Sequence, residues 1–261
     1  MTPGDAARRV AELVLRSERT VALTGAGISV PSGIPDFRSP GTGLWERVDP
    51  MEIAHIDVFR RDPERFWAFY GQRFQTLNDK RPNRGHELLA RLEGSGLLQA
   101  VITQNIDDLH RRAGTQELVE VHGTIAHSSC LRCGASYPLQ EVRARQAADG
   151  RRVPRCDCRE PLKPDVVLFG EYLPARALER AVQLAEQADL MLCIGTSLEV
   201  YPVAELPLRT LAAGGQLAII TRSPTPLDGR AASRLDGDVV DELDALWADV
   251  QATRYSPAGS G

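Results

Sequence analysis

Four short apolar runs constrain this chain more than any other feature: TVALT at 20–24, LLQAVIT at 97–103, LMLCI at 190–194 and QLAII at 216–220. None keeps a strict apolar–polar alternation, so both faces of each strand are expected to be buried, as in a parallel sheet. Helical stripes lie between them. Ala6, Val10, Leu13 and Val14 mark one over 5–16, and Leu88, Leu89 and Leu92 mark another that Gly94 and Gly96 end. Further helices are predicted over about 174–188 and 202–213, and an amphipathic helix with Val240, Leu243 and Leu246 closes the pattern. LVEV at 118–121 and DVVLF at 165–169 supply two more short strands. Strands alternating with helices specify an α/β fold, a parallel sheet covered on both faces.

Two stretches break the alternation. Residues 38–84 hold half of the aromatic side chains (Trp45, Phe59, Phe66, Trp67, Phe69, Tyr70, Phe74) and read as a loop with short helices. Residues 124–162 hold four of the five cysteines around a polar, Arg-rich middle. Both are predicted to be insertions that build a smaller domain, one helical and one metal-binding. The larger domain is then made from 1–37, 85–123 and 163–250, with 251–261 as a tail. Lys and Arg total 31 against 35 Asp and Glu, a net charge of −4 without long runs of one sign, which argues against a nucleic-acid-coating surface. No apolar stretch approaches the roughly 18 residues of a membrane span, and charge interrupts every N-terminal apolar run, so a cytoplasmic protein is expected.

Several segments carry chemistry. Gly25, Ala26 and Gly27 follow the first strand, where backbone N–H groups can receive a dinucleotide pyrophosphate; Val30 stands where a third glycine would complete the usual pattern. A long loop follows, with Asp36, Phe37 and Arg38 among prolines and glycines, suited to closing over a ligand. TQNIDDLH at 103–110 begins at a strand's carboxyl end, the edge at which open α/β sheets bind ligands. There Asn105 and Asp107 either hold a ribose or carboxamide or cap the following helix. His122 ends the next strand and is a general-base candidate, because its pKa lies near neutrality.

The cysteines give the sharpest chemical signal. Cys130-x-x-Cys133 and Cys156-x-Cys158, with 22 residues between the pairs, offer four thiolates to one tetrahedral Zn2+. Residues two apart in an extended segment point the same way, so the tighter second pair still reaches one ion. Four protein ligands leave no open position, which makes the site structural. Cys193, inside an apolar run, reads as an inert buried thiol.

In this order, GAGISVPSGIPDFRSP, TQNIDDLH, VHG, the paired cysteines, PDVVLFGE and GTSLEVYPVAELP closely resemble the sirtuins, NAD-dependent protein-lysine deacylases, over about residues 8–248. The resemblance implies a Rossmann-type domain, a smaller domain made from the two insertions, and a cleft between them for NAD and an acyl-lysine peptide. It implies Gly25, Ala26 and Gly27 around the NAD phosphates, with Phe37 and Arg38 over the nicotinamide ribose. Gln104, Asn105, Ile106 and Asp107 are implied to line the ribose and nicotinamide pocket, with His122 as general base. Gly195, Thr196, Ser197, Thr221, Arg222 and Val239 are implied to face the adenosine half. Val166, Val167, Leu168, Phe169 and Gly170 resemble the segment on which substrate backbone is laid.

The implied reaction has the acyl oxygen attack the ribose carbon bearing nicotinamide. A ribose hydroxyl, deprotonated by His122, then attacks the resulting imidate, while Asn105 and Asp107 orient the ribose. Three departures from the family pattern stand out: the second cysteine pair is CxC, Thr221 replaces a common Asn, and Tyr70 with Arg73 forms a Y-x-x-R pair resembling that of sirtuins which remove succinyl or malonyl groups. Asp36 instead matches the deacetylase-like pattern. Mono-ADP-ribosyl transfer and a non-catalytic zinc-ribbon module are the alternatives. The sequence leaves target proteins and oligomeric state open.

Overall fold

The computed structural model of the chain describes residues 3–36, 50–148 and 153–254. In chain order the strands are β1 (Thr20–Thr24), β2 (Ala100–Thr103), β3 (Leu118–Glu120), β4 (Gly123–Cys130), β5 (Ser136–Pro138), β6 (Leu162–Val166), β7 (Leu190–Ile194), β8 (Gln216–Ile220) and β9 (Ser233–Leu235). The helices are α1 (Pro3–Arg16), α2 (Pro50–Ile53), α3 (Ile56–Arg61), α4 (Pro63–Asp79), α5 (Arg84–Gly94), α6 (Leu109–Arg112), α7 (Leu139–Ala148), α8 (Ala175–Gln187), α9 (Leu206–Ala212) and α10 (Val239–Arg254).

Six strands form one parallel sheet in the order β3-β2-β1-β7-β8-β9. The doubly apolar runs explain how it is covered. Ala22, Val101, Leu192 and Ala218 point into a core with α1, α5 and α10, while their neighbours Val21, Ile102, Met191 and Leu217 point into the opposite core with α8 and α9. The chain leaves β1 toward β2 and β3 on one side and enters β7, β8 and β9 on the other. That reversal between β1 and β7 opens a crevice at the carboxyl ends of the strands.

Three expectations are corrected. The strand placed at 165–169 is β6, which ends at Val166 and pairs antiparallel with β4 in a separate three-stranded sheet ordered β5-β4-β6. Its apolar run is buried against the small-lobe aromatics rather than between helices, so hydropathy alone did not separate the two sheets. The aromatic insertion is not made of short helices only, because α4 spans 17 residues from an N-cap in which Asp62 accepts the Arg65 N–H at 2.9 Å. In α10 the fully buried stripe is Val239, Leu243, Leu246 and Val250, with Val240 only half-buried, and the helix runs on to Arg254. Phe37, Arg38 and Trp45 lie outside the described residues.

Candidate active site

At the β1–β7 crevice two glycine turns interlock. The Gly25 N–H donates to Ile194 O at 3.0 Å and the Gly27 N–H donates to Gly195 O at 2.8 Å. A Cβ on Gly27 would stand 2.7 Å from the Gly195 Cα, and Gly195 itself has φ +59°, so this close approach demands glycine on both sides. The expected role of these N–H groups toward a pyrophosphate is therefore narrowed: Gly25 and Gly27 use theirs inside the protein. Ala26 opens the 3-10 segment Ala26–Ser32, where a helical start leaves its donors without intrahelical acceptors.

β2 delivers Gln104 to Asp107 to the same edge. The Asn105 side chain is buried, and its Nδ2 donates to Gly25 O and to Ser29 Oγ, both at 3.1 Å. Its Oδ1 has no partner among the described residues and remains an acceptor. The N-cap of α6 is Asp108, whose side chain makes no cap bond; Asp107, one residue earlier, accepts the Leu109 N–H on Oδ1 at 3.0 Å and the Ser29 hydroxyl on Oδ2 at 2.6 Å. Burial raises the Asp107 pKa, against the lowering effect of the Ser29 bond. Gln104 Nε2 donates to Thr196 Oγ1 at 2.8 Å, joining the β2 and β7 loops. Ile106 packs against the small-lobe core, and its carbonyl accepts the Ile125 N–H.

His122 follows β3 and is half-buried. Its Nδ1 lies 3.0 Å from Gln104 O, and since a carbonyl only accepts, Nδ1 carries the proton and Nε2 keeps its lone pair. Burial lowers its pKa below the ordinary 6.5, with the Gln104 bond opposing, so the neutral form prevails at neutral pH.

Three polar residues beneath the site escaped the sequence reading: Ser29, His86 and His110. His86 Nδ1 accepts the Asn83 N–H at 3.3 Å, which places its proton on Nε2, facing Ser29 Oγ at 3.4 Å. Thr24 donates to Thr103 Oγ1 at 2.8 Å, so it accepts from His110 Nε2 at 2.9 Å; His110 Nδ1 is buried without a partner among the described residues. The two imidazoles meet edge to face, 4.8 Å apart. Burial holds His86 down at about 4 and His110 well below 6.5. His86 lies in the first turn of α5 and His110 in α6, and hydrogen bonds to Ser29 and Thr24, distant in sequence, bring them beneath the site.

The remaining expected residues fall in several places. Ser197 is half-buried beside Thr196. Thr221 is buried, with its N–H on Leu235 O at 3.0 Å, and the exposed Arg222 pairs with Asp238 at 2.8 Å. Val239 is the first residue of α10 and belongs to the core. Val166, Val167, Leu168, Phe169 and Gly170 form the end of β6 and its following turn; Val167 N–H donates to His122 O at 2.8 Å, and Phe169 is exposed. Tyr70 lies between the rings of Phe66 and Phe74, at 4.8 and 5.3 Å. Burial pushes its phenol up to about 12, with Arg73 opposing. The Arg73 guanidinium sits 3.6 Å over the Phe69 ring and donates to Phe69 O at 2.9 Å. The phenol is thus stacked between two rings and the guanidinium folds back over Phe69, near enough to Tyr70 to act on its charge.

The four cysteines converge, all Sγ atoms lying within 4.8 Å of one another. Sγ separations of 3.5 Å for Cys130–Cys158 and for Cys133–Cys156 approach the ~3.8 Å that tetrahedral Zn–S bonds of about 2.3 Å require. The thiol set fits a structural Zn2+. Between the CxC cysteines, Asp157 is clamped by Arg145 at 2.8 Å and by Tyr137 at 3.2 Å. Cys193 is buried, its thiol pushed up to about 12.

Residues 25–202 match the Sir2 family. The chain is 48% identical over 222 residues to the NAD-dependent protein deacetylase of Sulfolobus acidocaldarius, covering 85% of this chain and 86% of that protein. It is 44% identical over 232 residues to the one from Thermotoga maritima, covering 88% and 92%. Among solved structures, Sir2 bound to acetylated peptide superposes with TM-score 0.85 at 40% identity, covering 93% and 97%. A Sir2–p53 peptide–NAD+ complex superposes with TM-score 0.83 at 41% identity, covering 92% and 96%.

Proposed function

The chain belongs to the Sir2 family, and we infer that it is an NAD-dependent protein-lysine deacetylase working at the carboxyl ends of β1, β2 and β7. NAD supplies the nicotinamide–ribose bond whose cleavage accepts the acyl oxygen, and a Zn2+ on Cys130, Cys133, Cys156 and Cys158 supplies rigidity to the small lobe. Among the described residues, 50–84, 124–148 and 153–166 form that lobe, and the acyl-lysine peptide lies between it and the six-stranded sheet.

One observation carries the assignment of the base: the Nδ1–H bond from His122 to Gln104 O, which leaves Nε2 as an unprotonated acceptor. In this reading His122 takes the proton from a ribose hydroxyl. Asn105 stands at the junction of both glycine turns, its amide N–H groups fixed on Gly25 and Ser29 and its Oδ1 turned to ligand. Asp107 fixes Ser29 and the start of α6, and the second lone pair on each of its oxygens remains an acceptor toward the ribose or carboxamide. Ala26, Gln104, Ile106, Gly195, Thr196 and Ser197 line the cosubstrate crevice, with Thr221, Arg222 and Val239 toward the adenosine end. No helix of the described residues is long and apolar enough to cross a membrane; a cytoplasmic location fits the charged N-terminal helix.

Acetyl groups are the principal substrate. Succinyl and malonyl groups are secondary ones, because Arg73 reaches a carboxylate only after leaving the Phe69 ring. The test is His122→Ala: NAD affinity measured by calorimetry stays near wild type, while deacetylation falls about 10²- to 10⁴-fold. A variant retaining more than about a tenth of the turnover contradicts the base assignment.

A further inference from the structure

The chain has 31 basic residues, of which only Lys80 and Lys163 are lysines. Lys163 is the buried one, 8% exposed, and lies on β6 opposite Ser129 of β4. Its ammonium meets three oxygens: Val166 O at 2.9 Å, Pro164 O at 3.3 Å and Glu171 Oε2 at 2.9 Å. A compact ammonium directs three donors to separate acceptors within one small space, which a planar guanidinium does not.

Glu171 closes the circuit. The same Oε2 accepts the Leu168 N–H at 2.9 Å, and the Glu171 N–H donates to Leu168 O at 3.0 Å. The turn from Val166 to Glu171 is thus wound around one buried cation. Its outer side is pinned by Val167 N–H on His122 O at 2.8 Å, and by Phe169, whose N–H donates to Ala54 O and whose carbonyl accepts the Ile56 N–H, both at 2.9 Å. Gly170, at φ +84°, lets the turn pass the His55 ring, which a Cβ would meet at 2.7 Å.

We propose that Lys163 is a positioning residue for the acyl-lysine peptide, its ammonium setting the shape of the 166–171 turn on which the peptide backbone is laid. The inference rests on the reading of 166–170 as the peptide-docking segment. Without the ammonium, Val166 O loses its donor and the Glu171 carboxylate, already partly exposed, turns to water and releases the Leu168 N–H. The acceptors of the ammonium itself (Val166 O, Pro164 O and Glu171) lie outside the NAD crevice, to which the turn is tied through Val167 N–H on His122 O, so the effect falls on peptide more than on NAD.

Steady-state kinetics of Lys163→Met, Glu171→Gln and the double variant, with an acetyl-lysine peptide, test this. Lys163→Met raises the peptide KM about tenfold with the NAD KM changed by less than about twofold, and the double variant is no worse than the worse single one. Should Lys163→Met fail to fold, Glu171→Gln must show the same split in the same direction. An unchanged peptide KM, or equal rises in both KM values, overturns the positioning role. A peptide carrying a benzophenone residue beside its acetyl-lysine, photo-crosslinked to the wild-type protein, separates the two levels of the claim. Adducts within 166–171 support the docking segment, and adducts confined elsewhere overturn it together with the role of Lys163.

Discussion

His122 donates from Nδ1 to the carbonyl oxygen of Gln104 at 3.0 Å, and the residue after that carbonyl, Asn105, donates to Gly25 and Ser29. One peptide unit therefore holds the base and the cosubstrate crevice in register. Because burial lowers the His122 pKa, the base is neutral at pH 7 and is lost only as the pH falls through a value below 6.5. We expect kcat/KM to be flat around neutrality and to fall on the acid side with a midpoint under 6.5. An acid limb centred above 7 contradicts this environment for His122.

His86 makes a separate pH prediction, for stability. Its folded pKa of about 4 lies below its ordinary 6.5, so between these values the unfolded chain binds more protons and the fold loses stability as pH falls. A depression of that size corresponds to on the order of 3 kcal/mol between pH 7 and pH 4. Denaturant unfolding across this range should show a steeper pH dependence for wild type than for His86→Gln. Equal slopes contradict a buried, neutral His86.

Zinc should copurify at about one ion per chain, held by thiolates alone. Cys130→Ser or Cys156→Ser should abolish its retention and lower the unfolding temperature of the small lobe, with activity falling as a consequence. Metal analysis of protein purified without chelators checks this, and a zinc-free, fully folded preparation contradicts it.

Arg73→Met should reduce desuccinylation far more than deacetylation. The guanidinium can hold a carboxylate bidentately and offers an acetyl methyl nothing. In the resting arrangement it stacks on Phe69, so succinyl activity should be the weaker of the two in wild type. Equal losses on both substrates, measured with matched peptides, contradict a role for Arg73 in acyl selection.

The parallel sheet was legible because its strands are apolar on both faces, and the metal centre because thiol spacing carries its own geometry. β6 was misread, since PDVVLF is equally apolar in either sheet and only the pairing with β4 assigns it. Tyr70 and Arg73 share a helix at the spacing of neighbours, yet each is engaged by rings of its own helix, Tyr70 between Phe66 and Phe74 and Arg73 over Phe69. His86 and His110 reach their hydroxyl partners Ser29 and Thr24 across 57 and 86 residues of chain, by hydrogen bonds that no local pattern encodes. Asp107 does two things at once, accepting the first N–H of α6 from the residue before its N-cap and fixing Ser29.

The central claim is that this chain transfers an acyl group from lysine to the ADP-ribose part of NAD. Purified protein incubated with an acetyl-lysine peptide, with and without NAD, and analysed by mass spectrometry, tests it most directly. The expected result is free lysine peptide only when NAD is present, with nicotinamide and acetyl-ADP-ribose formed in equal amounts. Peptide deacetylated without NAD, or recovered carrying ADP-ribose, would contradict it.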